Sequence, residues 1–218
     1  MFRYGRRIAL QKIAALAAVP ALAQTAPTPA RLLALGDSLT AGYGLPRGQG
    51  FVAQLQAALA GRGRAVRVLD AGVSGDTMAG GAARLDWALA ERPQAAIVAL
   101  GGNDGLRGLP PERMAAALDS ILARLEARRV ATLLAGMHAP PNLGADYTAA
   151  FHGVFTSAAA RRPGLVFYPF FLEGVAGERA LNQADGIHPN AQGVAEMVRR
   201  ILPFTEQVLD RAAAVAAG

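Results

Sequence analysis

The sequence predicts an α/β fold built on one five-stranded parallel sheet, and two observations carry that expectation. Five short runs, at 31–35, 65–70, 95–100, 130–136 and 165–170, are mostly apolar, as strands covered on both faces are. They alternate with longer Ala-, Leu- and Arg-rich segments of helical spacing at 48–60, 77–92, 110–128 and 146–161, and such alternation marks βαβ units. Neither an internal repeat nor a second zone of composition interrupts the pattern, so 31–218 reads as one domain.

Taken in order, residues 1–23 precede this pattern and read as an export signal. A basic stretch with Arg3, Arg6, Arg7 and Lys12 leads into the apolar run "IAALAAVPALA", which ends in the small-x-small site Ala21-Leu22-Ala23. That run is shorter than the roughly 20 apolar residues a bilayer span needs. A Thr/Pro-rich linker, 24–30, follows. The first strand "RLLAL" leads into "GDSLTAG" (36–42), the second into "AGVSGDT" (71–77), the third into "GGNDGLRG" (101–108) and the fourth into "MHAPPNLG" (137–144). Past the fifth strand lies "ADGIHPNAQG" (184–193), with Pro189 placed to start the next helix. Two final helical stretches, about 190–201 and 203–216, are expected to be split by Pro203.

Composition removes several function classes. The 218 residues are 52% hydrophobic and 17% charged, which suits a packed core and not disorder. The absence of Cys excludes disulfides and thiolate nucleophiles, and the three His stand too far apart for a paired metal site, so no metal and no cofactor are expected. The formal charge of +6 owes four basic residues to the first 23; without them 18 basic residues face 16 acidic ones. With no basic cluster, nucleic acid is not an expected partner.

In a parallel sheet, ligands bind beyond the carboxyl ends of the strands, so the loops there hold the candidate chemistry. Hydrolysing an ester through an acyl-enzyme needs a nucleophile, a base, an orienter for the base and donors for the oxyanion. Of the four Ser, Ser120 and Ser157 lie in helical stretches and Ser74 beside Gly75 in a tight turn, which leaves Ser38 best presented. Of the three His, His152 lies in a helix and His138 has no acid near it in sequence. His188 follows Asp185 by three residues, so one segment can deliver both base and orienter. Asn103 suits a neutral side-chain donor, with the backbone N–H groups of Ser38 and Gly75 beside it.

The blocks "LALGDSLTAGYG", "GVSGDTMAGGAARL", "ALGGNDGLRG" and "DGIHPNAQG" resemble the four blocks of the SGNH (GDSL) hydrolase superfamily. Within it, they look like the bacterial arylesterase, acyl-CoA thioesterase and lysophospholipase branch. The resemblance runs from about Arg31 to about Leu202. It implies a flavodoxin-like three-layer α/β/α sandwich with strand order 2-1-3-4-5. It also implies Ser38 as nucleophile, His188 as base and then acid, Asp185 as orienter, and an oxyanion hole from Ser38, Gly75 and Asn103.

The acyl group is expected along the loops after strands two to four, against Met78, Leu106, Met137 and Leu143, with Asp37 and Asp104 also at the site. These apolar side chains point to an aryl or short to medium acyl group, and the resemblance implies thioesters and lysophospholipids among the substrates. The alternative is a carbohydrate O-deacetylase using the same machinery, for which a single Trp offers few sugar platforms. A monomer without stable membrane insertion, exported to the periplasm or secreted, completes the expectation.

Overall fold

The computed structural model describes residues 29–217 together with Met1, so the expected export signal and most of the expected linker lie outside the described residues. Five strands form one wholly parallel sheet: β1 (Ala30–Gly36), β2 (Val66–Gly72), β3 (Ala95–Ala99), β4 (Ala131–Ala135) and β5 (Val166–Tyr168). Their order is β2-β1-β3-β4-β5. The expected runs coincide with the strands to within a residue or two, and β5 stops at Tyr168, after which the Gly136 carbonyl takes the N–H of Phe171 at 2.9 Å where a regular ladder would use that of Phe170. β3, in the middle, is buried at all five positions, whereas the edge strand β2 alternates, with Arg67 and Asp70 exposed.

Among the described residues six α-helices lie between the strands and a seventh follows β5: α1 (Ser38–Ala41), α2 (Phe51–Gly61), α3 (Met78–Leu89), α4 (Gly102–Leu106), α5 (Pro111–Ala127), α6 (Ala145–Ala160) and α7 (Ala191–Ala217). Right-handed crossovers decide which face each one covers. The chain moves one way from β1 to β2 and the other way from β2 through β5. That reversal puts α2 on one face and α3, α5 and α6 on the other, with α7 returning beside α2. On α5 the buried set is Met114, Leu118, Ile121, Leu122 and Leu125, one stripe at helical spacing turned to the sheet. This gives three layers with the strand order expected.

One expectation fails. Pro203 does not divide the last segment; α7 runs unbroken through it. The ring faces solvent, while Ile201, Leu202, Thr205, Val208 and Leu209 around it are buried. Packing of that stripe outweighs the single backbone hydrogen bond a helical proline removes.

The reversal of strand order falls between β1 and β3, the place where an open α/β sheet leaves a crevice at its carboxyl edge.

Candidate active site

β1 ends at Gly36, and the chain turns at once into α1. A Cβ at Gly36 would meet the Thr40 side chain and the Ala99 carbonyl, so a glycine is required for so close a turn. Asp37 caps α1, its Oδ1 accepting the Leu39 N–H at 3.0 Å. Ser38 is the first residue of that helix, and its N–H, one of the unpaired donors of a helix start, reaches no acceptor among the described residues.

The segment after β5 brings the histidine. His188 Nε2 lies 2.9 Å from Ser38 Oγ, and His188 Nδ1 lies 2.7 Å from Asp185 Oδ2. Gly186, at φ +70°, allows the tight turn that folds Asp185 back under His188. Asp185 Oδ1 also accepts the N–H groups of Ile187 (2.9 Å) and His188 (3.0 Å). The His188 N–H, then its ring, then the Ile187 N–H hold the Asp185 carboxyl down at about 2. The loop is pinned on both sides. Asn190 Oδ1 caps α7 by accepting from Gln192 and Gly193 at 3.0 Å each, and Gln183 donates to the His188 carbonyl at 2.7 Å. Pro189 therefore does not open the helix as expected; it is buried and bridges antiparallel to Asn182.

The remaining donors come from the loops after β2 and β3. Gly75 sits at φ +82°, a conformation that favours glycine, and its N–H has no acceptor among the described residues. Asn103, on α4, lies at the cleft, where its Nδ2 donates to the Asp76 carbonyl at 2.9 Å and makes a longer contact of 3.4 Å to Asp37 Oδ2. Burial pushes the Asp37 carboxyl up to about 6, against the lowering effects of the Leu39 N–H, His188 and Asn103.

These loops enclose a cleft of about 300 Å³. Of the residues named from the sequence, Asp37, Ser38, Gly75, Asn103, Leu106, Met137 and His188 line it. Three expected members stand elsewhere. Met78 is fully buried in the core, near the tight turn at Gly101. The Asp104 carboxylate is buried and accepts the Met78 N–H at 2.9 Å, which secures the start of α3. Leu143 lies in a short 3-10 turn against Gly108.

The cleft also has walls that the sequence reading missed. Tyr43 is half exposed with its ring centroid 4.6 Å from that of His188, and Ile187 is exposed beside it. The signal for Tyr43 was the Gly-Tyr-Gly triplet, in which Gly42 and Gly44 adopt φ near +74° and set the ring on the cleft. Pro140 and Leu172 line the cleft as well, and so does His138, a strand-end residue for which that place was open, its ring stacked on Phe170 at 3.9 Å between centroids. Partial burial, then the neighbouring His152, lowers the pKa of His138, which favours its neutral form. Among the described residues no group of three His, Asp or Glu side chains could hold a metal ion, and no helix is long and apolar enough to cross a membrane.

Esterase TesA of Pseudomonas aeruginosa is 43% identical over 179 residues, covering 82% of this chain and 89% of that protein. Thioesterase 1/protease 1/lysophospholipase L1 of Escherichia coli K12 is 38% identical over 160 residues, 73% of this chain and 75% of that one. A crystal structure of TesA matches with a TM-score of 0.77 at 42% identity, over 82% of this chain and 99% of the other. The match to the GDSL-like Lipase/Acylhydrolase family extends over residues 34–195, from the turn that carries Ser38 to the loop that carries His188, and the chain belongs to that family.

Proposed function

We propose that this chain is a serine esterase that hydrolyses carboxylic esters and thioesters with apolar acyl groups through an acyl-enzyme on Ser38. The observation that carries the reading is the unbroken line from Ser38 Oγ to His188 Nε2 (2.9 Å) and from His188 Nδ1 to Asp185 Oδ2 (2.7 Å). His188 takes the Ser38 proton as the oxygen attacks the carbonyl, and Asp185 holds the ring and stabilises the imidazolium. The Ser38 and Gly75 N–H groups, which meet no acceptor among the described residues, bind the oxyanion. Asn103 joins them by turning towards the oxyanion the hydrogen that makes the long 3.4 Å contact to Asp37. His188 then protonates the departing alcohol or thiol, and water, deprotonated by His188, releases the acid.

Leu106, Met137, Pro140 and Leu172 make the cleft wall apolar, which supports aryl and short to medium acyl substrates, lysophospholipids included, over acetylated sugars. The names of the relatives, an esterase and a thioesterase/lysophospholipase, agree with that class. The same reading takes the chain as exported, periplasmic or secreted and monomeric; export rests on the signal-like sequence of residues 1–23.

Mass-spectrometric mapping after treatment with a fluorophosphonate tests the chemistry. A single adduct on Ser38, greatly slowed in His188→Ala, is the expected result. An adduct on Ser74, or ester hydrolysis that survives Ser38→Ala, would overturn it.

A further inference from the structure

Arg84, on α3, reaches into the frame of the site without lining the cleft. Its Nε donates to Asp76 Oδ2 at 2.7 Å, and its Nη2 donates to the Gly36 carbonyl at 2.9 Å. The two side chains of this ion pair are only 19% and 15% exposed, and Arg84 Nη1 is buried without a partner among the described residues. A pair so placed is weak evidence of a device for stability, because a well-packed apolar replacement is often at least as stable. What it fixes is position. Gly36 lies two residues before Ser38, and Asp76 directly follows Gly75. The Gly36 carbonyl also accepts the Val73 N–H at 3.1 Å, and the Asp76 carbonyl accepts Asn103 Nδ2 at 2.9 Å. One planar guanidinium thus joins the peptide that leads into the serine turn to the residue that leads out of the Gly75 turn, and through Asp76 it meets the asparagine.

We propose that Arg84 is a positioning residue that sets the spacing between the Ser38, Gly75 and Asn103 oxyanion donors by bridging Gly36 and Asp76. The inference rests on the esterase reading above. It requires the fork of an arginine, since a lysine offers a single charged head and cannot hold both acceptors in one plane. Gly75 is the sensitive member. Its left-handed backbone sits in a turn closed by the Asp76 N–H on the Val73 carbonyl at 3.1 Å, and the side-chain grip on Gly75 itself, Arg107 Nη2 on its carbonyl at 2.9 Å, is solvent-exposed.

Losing one oxyanion donor lowers kcat by about 10²–10³, and a shift of about 1 Å at a reacting centre costs about 10². Arg84→Met and Arg84→Lys, checked as folded by circular dichroism, are therefore expected to lose about 30- to 100-fold in kcat on an aryl ester, with KM within about threefold. Arg84→Ala is expected to recover at least about fivefold in kcat with millimolar guanidinium, a rescue that a purely packing role would not show. If the Arg84 variants fail to fold, Asp76→Asn reads the same bridge and is expected to lose about tenfold in kcat with KM held. Folded variants with kcat within twofold of the wild type, or losses that appear wholly in KM, would overturn the assignment. The esterase reading fails separately, by a wild-type protein with no ester hydrolysis and no Ser38 adduct.

Discussion

Asp37 Oδ2 faces Asn103 Nδ2 at 3.4 Å, so the carboxyl of a residue that is 1% exposed stands against the side-chain amide of α4. The other oxygen of Asp37 caps α1. One buried acid thus supports the serine's helix while touching the asparagine across the cleft, and burial makes that acid reluctant to ionise.

The first expected consequence concerns stability. The Asp37 carboxyl is raised from 3.8 to about 6, so between about pH 4 and pH 6 the folded chain keeps a proton that the unfolded chain releases. Stability therefore falls as pH rises through that window, and the penalty is complete above it, at about 3 kcal/mol. Asp37→Asn keeps an acceptor for the Leu39 N–H and removes the penalty. Urea unfolding should show the variant gaining on the wild type at pH 8 and not at pH 4; an equal difference at both would disprove the linkage.

Asp185 titrates in the opposite sense. Held at about 2 by the His188 and Ile187 donors, it stays ionised through the whole neutral and mildly acid range. Loss of activity between pH 7 and pH 4 therefore does not arise from Asp185. Asp185→Asn should lower kcat by about 10²–10⁴, as expected for a base left in the wrong tautomer, while leaving an acid limb in the pH–rate profile. An acid limb that vanished in the variant would contradict this.

Asn103→Ala should lower kcat by about 10²–10³ with little change in KM, because the hydrogen bond it supplies strengthens only as negative charge develops on the substrate oxygen. Initial rates across a range of aryl ester concentrations separate the two constants. A rise in KM alone would mean that Asn103 serves ground-state binding.

Pro203→Ala should stabilise the chain. The ring removes one N–H from the middle of α7, and a helical proline costs up to about 3 kcal/mol, partly offset by its restriction of the unfolded chain, worth about 0.4–1 kcal/mol. A net gain of about 1–2 kcal/mol in urea unfolding is expected, and a loss would show that the proline sets a bend that the buried stripe needs.

Much of this arrangement was legible in the sequence because parallel strands covered on both faces are apolar along their whole length, and β1, β3 and β4 have no polar interruption except Arg31 and Thr132. Ser38, Asp185 and His188 could be singled out because the chain has so few Ser and His to choose among. What was hidden depends on direction. A methionine at the start of α3 reads alike whether it points to the cleft or to the core, and Met78 points to the core. Asp104 looked like a site residue because it adjoins Asn103, but its carboxylate is spent on a helix start 26 residues away, a pairing no local pattern announces. Pro203 misled for the complementary reason: local propensity says that a helix breaks there, and the burial of Val208 and Leu209 beyond it says otherwise.

The distance along the chain between Ser38 and His188 has a consequence for biosynthesis. A ribosome delivers the serine turn about 150 residues before the histidine proposed to activate it, so on that proposal a chain that ends short of His188 carries an inert hydroxyl. On the same proposal, hydrolytic power is expected only when the last fifth of the polypeptide closes over β4 and β5. Esters and thioesters met by the growing chain are thereby spared, and the appearance of activity is itself a clock for the completion of folding.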